Sequence, residues 1–247
     1  MAATTVRVPV AFALDFASVE KARDVLLLVR DGIGMVKVGL ELFVEAGPLA
    51  VKIGAEVGRP VFLDLKLHDI PETVERAVGR AGELGASIVT VHAAGGPAMV
   101  RRAVARAAKD GTGLKIAAVT VLTSLDASDL AKMGVAGDVA AQAKRLARLA
   151  YDEGVRHFVC SPHEAAAMRA ELGREAVLIT PGVRPGGRDS ARPNDDQKRV
   201  ATAAEAIRDG ADWLVVGRPI RDAADPREAA MAIAREAMDA LALRGST

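Results

Sequence analysis

The sequence predicts an α/β fold, a single-domain (β/α)8 TIM barrel covering residues 1–247. Short strand-like runs alternate eight times with longer segments rich in Ala, Leu, Arg and Glu, as in parallel strands joined by crossover helices. The chain has 247 residues, half of them hydrophobic, which suits one closed barrel. No linker or low-complexity tract divides it. The alternative architecture is an open, doubly wound parallel sheet.

The predicted elements follow each other in regular order along the chain. The strands are predicted at 8–16, 34–39, 60–67, 86–93, 114–123, 156–160, 176–182 and 212–217. The helices are predicted between them at 18–30, 41–57, 72–84, 97–109, 138–153, 163–172, 201–210 and 226–243. Three of these helices end near a glycine that leads into a strand, which makes Gly85, Gly154 and Gly210 candidate C-caps.

Two segments interrupt the alternation. Residues 124–134, after the fifth strand, predict a short extra helix within a loop. Residues 184–198, after the seventh strand, are rich in Gly, Pro, Asp and Arg and cannot bury an apolar face. Long βα loops in compact domains usually form lids or binding loops, so we expect a lid at 184–198.

Charge and composition exclude several classes of protein. The net charge of +1 offers no bulk field to attract nucleic acid or an acidic membrane. The single cysteine, Cys160, cannot form an internal disulfide and fits a reducing compartment. The N-terminal sequence lacks the pattern of a signal peptide, and no apolar run approaches the roughly 18–20 residues of a membrane span. We therefore expect a soluble, cytoplasmic protein.

Polar residues occur at the predicted carboxyl ends of the strands, where barrels of this kind place their active sites. A lone Asp at a strand end more often caps a turn or helix than it catalyses. Several polar residues that converge on one rim indicate a functional site more strongly, because charges removed from water must pair with each other or with a ligand. The set consists of Asp15, Lys37, Asp64, Lys66, Thr123, Arg184, Gly217 and Arg218.

The stretch FLDLKLHDIP, residues 62–71, places two opposite charges side by side. Alternate strand residues point to the same side, so Asp64 and Lys66 share one face. Lys37 and Asp69 would extend this pair into an array in which each opposite neighbour favours the charged form. A lysine held cationic beside a reacting carbon can stabilise a carbanion and then protonate it. The alternatives are a structural Asp64–Lys66 ion pair and an Asp69 that only favours the following helix.

A phosphate site is predicted separately at VVGRPI, residues 215–220. The glycine lets backbone N–H groups approach an anion, and Arg218 can bind it with two hydrogen bonds. Barrels frequently bind phosphate at the loops after strands seven and eight, and Gln197 could reach across as a neutral donor. The alternative is an ordinary capping turn with a solvated Arg218.

Three further titratable residues are interpreted as structural. His68 and His92 are expected to be structural or incidental rather than catalytic. Cys160 is expected to be a small, buried apolar residue near a strand end.

Several of the motifs described above, together with their neighbouring residues, resemble segments of the orotidine 5′-monophosphate decarboxylase family. Seven segments occur in the family's order and spacing, from about Asp15 to Ile220: FALDF, VKVGLELF, FLDLKLHDIPETV, TVLTS, TPGVRP, DDQKRVATAAEAI and GADWLVVGRPI. The D-x-K-x-x-D-I-P element is shared with a wider superfamily. Its combination with Lys37 and with the D-Q-K-R and V-G-R-P segments narrows the resemblance to this family.

The resemblance implies decarboxylation of orotidine 5′-monophosphate to uridine 5′-monophosphate in de novo pyrimidine biosynthesis, with no cofactor and no metal. It implies that Lys66 donates the proton to C6 of the pyrimidine and that Asp64 sits against the substrate carboxylate. Asp15 and Lys37 would hold the ribose hydroxyls, with Lys37 also in the charge array. Thr123 would contact the pyrimidine ring.

The resemblance also implies a phosphate site and a shared active site. The phosphate would be surrounded by Arg184, Gln197, Gly217 and Arg218, with 184–198 closing as a lid. In a homodimer, Asp69 would reach into the partner subunit's site and Thr73 would lie at the shared boundary. Neither nucleic acid nor a membrane is an expected partner.

Two other functions stay open. A metal-dependent sugar-phosphate lyase of the hexulose-phosphate synthase or keto-gulonate-phosphate decarboxylase type keeps the D-x-K-x-x-D element and uses Mg²⁺. Such relatives place a metal-binding Glu at position 37, where Lys37 would repel a divalent ion. A non-enzymatic binder of phosphate ligands would explain Arg218 and Gln197, but not the charges on the third strand.

Overall fold

Eight parallel strands close into a barrel in this computed structural model, which describes residues 8–187 and 200–245. Each strand pairs with the next along the chain, and β1 also pairs with β8. The predicted single TIM barrel is therefore confirmed. The strands are β1 Val10–Ala13, β2 Met35–Val38, β3 Val61–Leu67, β4 Ile88–His92, β5 Lys115–Val119, β6 His157–Val159, β7 Val177–Pro181 and β8 Trp213–Val216.

Helices follow the strands and cover the outside of the barrel. They are α1 Val19–Val29, α2 Leu40–Ala46, α3 Pro48–Glu56, α4 Pro71–Glu83, α5 Pro97–Lys109, α6 Ala127–Lys132, α7 Val139–Asp152, α8 Pro162–Leu172, α9 Ala203–Arg208, α10 Arg218–Arg221 and α11 Pro226–Gly245. Their apolar residues recur at helical spacing, as Val74, Val78 and Ala81 do on α4, and these side chains are buried. The extra helix predicted within 124–134 is present as α6.

The prediction of one helix over 41–57 is wrong, because Gly47 and Pro48 divide it into α2 and α3. Gly47 has a φ of 53°, which ends α2 in a conformation that suits glycine. Pro48 has no backbone N–H to donate and occupies the first turn of α3, a position that proline favours. The short helix α10 was not predicted either. The described part of the chain has no helix long and apolar enough to cross a membrane.

The alternation of side chains along the strands separates two apolar layers and determines which polar residues face the interior of the barrel. The interior layer of the barrel is Ala11, Met35, Phe62, Ile88, Ala117, Ile179 and Trp213, and the layer between strands and helices takes their neighbours in sequence. A residue two positions after an interior residue also faces inward, one level nearer the carboxyl ends. Lys37 follows Met35 in this way, and Asp64 follows Phe62. Their charges therefore lie at the carboxyl-terminal mouth of the barrel.

The pairing of β3 with β4 is irregular at this level. Leu63 lies opposite Val89, but Leu67 lies opposite Val91, so three residues of β3 face one residue of β4. Lys66 lies within this irregularity and has a φ of 51°. Among the non-glycine residues in the described ranges, it is the one with a positive φ. The strand predicted over 60–67 is therefore confirmed in extent, but not as a regular strand throughout.

Candidate active site

A cavity of about 260 Å³ opens at the carboxyl ends of the strands. It lies where the sequence places the polar set, and its wall also contains apolar residues from β3, β5, β6 and β8. Such a mixture of apolar wall and convergent polar groups is typical of a small-molecule site. The structure brings eight predicted site residues to this cavity: Asp15, Lys37, Asp64, Lys66, Thr123, Arg184, Gly217 and Arg218.

Four of these residues form a row of alternating charge. Lys37 Nζ lies 3.0 Å from Asp15 Oδ1 and 3.9 Å from Asp64 Oδ2. Lys66 Nζ donates a 2.8 Å hydrogen bond to the same Asp64 oxygen. Within one chain the row therefore runs Asp15–Lys37–Asp64–Lys66. Asp15 occupies the end of the row because β1 lies beside β2, where Leu14 N donates to the Lys37 carbonyl at 2.9 Å.

Asp64 is the carboxylate of the row that pairs with both lysines. Its side chain is 13% exposed, and burial alone would raise its pKa. The charges of Lys37 and Lys66, together with hydrogen bonds from Lys66 and Thr90, outweigh burial and hold the pKa of Asp64 below its usual range. A carboxylate is therefore maintained in a largely water-excluded position at neutral pH.

Thr90 is a site residue that the sequence analysis missed. It is fully buried on β4, its hydroxyl donates to Asp64 Oδ1 at 3.0 Å, and it accepts the backbone N–H of Lys66 at 2.7 Å. The signal in the sequence is a single threonine at an inward-facing position of the apolar run 88–91. Arg221 was missed as well: it donates to the Asp15 carbonyl at 2.8 Å and so supports the outer end of the row.

Gly39 allows the row to pass close to the backbone. A Cβ atom at Gly39 would lie 2.8 Å from Lys37 Nζ and 3.1 Å from Asp15 Oδ1. Real Cβ atoms essentially never come as close as the first of these distances. Glycine at this position therefore leaves the space in which the first ion pair of the row forms.

Asp69 and Thr73 lie away from the cavity of their own chain. Asp69 is exposed just beyond β3, and its carboxylate accepts the Ile70 N–H at 2.6 Å. Neither Asp69 nor Thr73 lines the cavity, and Ile70 beside them is 66% exposed. Asp69 therefore does not continue the row within its own subunit.

Two arginines also line the cavity. Arg184 follows β7, and its backbone N–H donates to the Ala201 carbonyl at 2.9 Å, which ties the start of the long loop to the segment before α9. Gly217 and Arg218 follow β8, where Arg218 begins α10. Gln197, predicted to join them, lies outside the described residues, as does most of the predicted lid.

The cavity carboxylates are poorly arranged for a metal ion. Both Asp15 and Asp64 contact lysine ammonium groups, and Lys37 lies between them. A cation at that position opposes binding of a divalent ion. In the part of the chain that the structure describes, no group of three or more His, Cys, Asp or Glu side chains is placed to hold a metal.

A closed parallel barrel with paired charges in a cavity at its strand ends defines a (β/α)8-barrel enzyme. A family model described as "Orotidine 5'-phosphate decarboxylase / HUMPS family" matches residues 9–233. The chain belongs to this family, as the resemblance in its sequence had indicated.

Individual relatives agree with the family assignment. A protein of Anaeromyxobacter sp. (strain K) named orotidine 5'-phosphate decarboxylase is 55% identical over 222 residues, which cover 90% of this chain and 95% of the relative. A protein of Thermobifida fusca with the same name is 48% identical over 229 residues, covering 92% and 95% of the two chains. The crystal structure of orotidine 5'-phosphate decarboxylase from Lactobacillus acidophilus superposes with a TM-score of 0.80 at 34% identity, covering 93% of this chain and 98% of the other.

Proposed function

We propose that this chain decarboxylates orotidine 5′-monophosphate to uridine 5′-monophosphate, a step of pyrimidine biosynthesis, without a cofactor. The observation that carries the proposal is the row Asp15–Lys37–Asp64–Lys66 in the cavity at the strand ends. The names of the relatives support the choice of substrate. The same proposal assigns the reaction to the cytoplasm.

In the proposed reaction the bond between C6 and the carboxylate carbon breaks and CO₂ leaves. The electron pair stays on C6, where no adjacent carbonyl accepts it, so the site must supply the stabilisation. The Lys66 ammonium offers a positive charge at that position and then transfers one proton to C6. The neutral amine regains a proton from water. Asp64, held ionised, faces the substrate carboxylate and disfavours it relative to the departing CO₂.

The remaining site residues bind the parts of the nucleotide that do not react. Asp15 and Lys37 hold the ribose hydroxyls, and Thr123 contacts the pyrimidine ring. The phosphate is bound by Arg184, Gln197, Gly217 and Arg218, where a guanidinium can make two charge-assisted hydrogen bonds. Because the phosphate lies far from C6, its binding energy is available to close the 184–198 lid and organise the site.

The test is an assay of the purified protein with orotidine 5′-monophosphate. The reaction is monitored by the change in ultraviolet absorbance that accompanies loss of the carboxylate from the pyrimidine. We expect turnover that EDTA does not change. The sugar-phosphate lyase alternative predicts no turnover of this nucleotide, and instead activity on a sugar phosphate that EDTA removes and Mg²⁺ restores. A phosphate-ligand binder would bind the nucleotide without converting it. Either of these two results would overturn the proposal.

We further propose a homodimer in which Asp69 completes the partner subunit's site and Thr73 lies at the boundary. The exposure of Asp69, its position on the rim and the neighbouring exposed Ile70 support this arrangement. A twofold interface is isologous, so each subunit gives one Asp69 and receives one. The site would then contain the array of Lys37, Asp64, Lys66 and Asp69, with the last from the other chain.

Subunit mixing tests the shared site. Lys66→Ala and Asp69→Ala homodimers are both expected to be nearly inactive. In a hybrid, one site takes Lys66 from one chain and Asp69 from the other and is intact, while the second site lacks both. Random exchange makes about half of the dimers hybrids, so activity should recover to roughly a quarter of wild type. Demonstrated exchange without recovery would place the role of Asp69 within its own subunit.

A further inference from the structure

The irregular pairing of β3 and β4 leaves Thr90 opposite three residues of β3. These residues are Asp64, Leu65 and Lys66, between the pairs Leu63–Val89 and Leu67–Val91. A bulge of this kind interrupts the ladder and leaves backbone groups in need of other partners. It also turns the chain locally, and such irregularities are common next to active sites.

The Thr90 side chain supplies the missing partner. The backbone N–H of Lys66 donates to Thr90 Oγ1 at 2.7 Å, and the Thr90 hydroxyl donates onward to Asp64 Oδ1 at 3.0 Å. The other oxygen of the same carboxylate accepts Lys66 Nζ at 2.8 Å. The three residues thus form a closed ring of hydrogen bonds that holds Lys66 at both its backbone and its ammonium group.

The backbone of Lys66 needs such a hold. Its φ of 51° lies in the left-handed region, which is costly for a residue with a Cβ atom and persists only where the surroundings impose it. Thr90 is fully buried, so water does not replace its hydroxyl as the partner of the Lys66 N–H. The same hydroxyl fixes the orientation of the Asp64 carboxylate through its Oδ1 oxygen.

We propose that Thr90 is a positioning residue for the decarboxylation: its hydroxyl holds the left-handed backbone of Lys66 and the Asp64 carboxylate in one geometry. This inference rests on the proposed function, in which Lys66 protonates C6. Thr90 acts through Lys66 and Asp64 and does not itself line the cavity. Its loss should therefore affect the chemical step more than nucleotide binding, which depends on the residues around the ribose and phosphate.

The test compares Thr90→Val, which keeps the shape and removes the hydroxyl, with Thr90→Ser, which keeps the hydroxyl. We expect Thr90→Val to lower kcat on the order of ten- to a hundredfold, because it leaves a buried N–H and a carboxylate oxygen unpaired, with KM changed less than about threefold. Thr90→Ser should stay within about threefold of wild-type kcat. The matched control is Thr180→Val, at a fully buried threonine of β7 outside the row, which should leave kcat unchanged.

A crystal structure of Thr90→Val provides a readout that does not depend on turnover. We expect the φ of residue 66 to leave the left-handed region and Lys66 Nζ to move away from Asp64. If Thr90→Val does not fold, Thr90→Cys, whose thiol is a weak donor and acceptor, gives the same comparison with Thr90→Ser.

Three outcomes would overturn the inference: an unchanged kcat and Lys66 conformation in Thr90→Val, equal losses in Thr90→Val and Thr90→Ser, or a loss carried mainly by KM. A Lys66→Ala variant assayed in parallel separates the two proposals. If Lys66→Ala retains decarboxylation, the proposed role of Lys66 fails. If Lys66→Ala is inactive while Thr90→Val is normal, only the inference about Thr90 fails.

Discussion

Lys37 contacts two carboxylates, and the structure predicts that the longer contact contributes more free energy. Asp15 Oδ1 is 3.0 Å from Lys37 Nζ, but the Asp15 side chain is 43% exposed. Asp64 Oδ2 is 3.9 Å away, but Asp64 is only 13% exposed and Lys37 itself 10%. Water screens the first pair strongly and the second weakly, so exposure rather than distance decides the order.

The magnitudes follow from Coulomb's law. At 3.9 Å and an effective dielectric constant of about 20, the Lys37–Asp64 attraction is about 4 kcal/mol, an upper bound on the measurable coupling. Exposed ion pairs such as Lys37–Asp15 typically contribute about 1 kcal/mol or less. We therefore expect coupling of roughly 2–4 kcal/mol for Lys37 with Asp64 and at most about 1 kcal/mol for Lys37 with Asp15.

Two double-mutant cycles measure these couplings in the free energy of unfolding. Both use Lys37→Met, which keeps the apolar stem, combined with Asp64→Asn in one cycle and Asp15→Asn in the other. Urea unfolding followed by the fluorescence of Trp213, the single and buried tryptophan, reports all variants at one fixed protein concentration. Coupling to Asp15 equal to or larger than coupling to Asp64 would refute this account of the row.

Three further predictions concern single positions. Gly39→Ala should lower kcat/KM at least about tenfold with little change in melting temperature, because the added Cβ atom would lie 2.8 Å from Lys37 Nζ and displace it. Activity near that of wild type would contradict this prediction. The pKa of Asp64 is lower in the folded protein than in the unfolded chain, where it is near 4. The ionised carboxylate therefore contributes its full stabilising free energy above about pH 4, and this contribution is lost as the pH falls through the folded pKa. The difference in unfolding free energy between wild type and Asp64→Asn should therefore be constant from about pH 5 to 8 and shrink only below about 4; shrinkage within the upper range would oppose the assignment. Burial raises the pKa of Cys160 to about 12, so the thiol of the folded protein should resist Ellman's reagent at about pH 8 and react only after unfolding. Rapid labelling of the folded protein would contradict this prediction, because it would mean that the thiol is accessible.

Most of the fold and the positions of the row were predictable because they depend on local periodicity. The inward-facing residues of β2 and β3 recur at every second position, so Met35 and Phe62 predict where Lys37 and Asp64 point. The break between α2 and α3 is also marked in the sequence, because Gly47 precedes Pro48 and the residue before a proline disfavours the helical conformation. Closure of the barrel then brings the strand ends to one rim.

The finer geometry depends on pairing between distant segments, which one sequence does not reveal. Alternation assigns Lys66 an ordinary strand conformation, whereas its φ of 51° follows from the register shift between β3 and β4. The same shift turns Thr90, which a strand-forming pattern would treat as a small buried residue, into a hydrogen-bond partner of Lys66 and Asp64. The inclusion of Asp15 in the row likewise depends on the pairing of β1 with β2.

The most direct test of the central claim is the Lys66→Ala variant, measured for both decarboxylation and product binding. Lys66 alone is assigned the proton transfer to C6, whereas Arg184 and Arg218 are assigned to the phosphate. We therefore expect decarboxylation of orotidine 5′-monophosphate to be nearly abolished while the Kd of uridine 5′-monophosphate, measured by calorimetry, stays within a few-fold of wild type. A variant that keeps kcat within about tenfold of wild type, a change of about 1.4 kcal/mol in the barrier, would contradict the assignment of Lys66 as the proton donor.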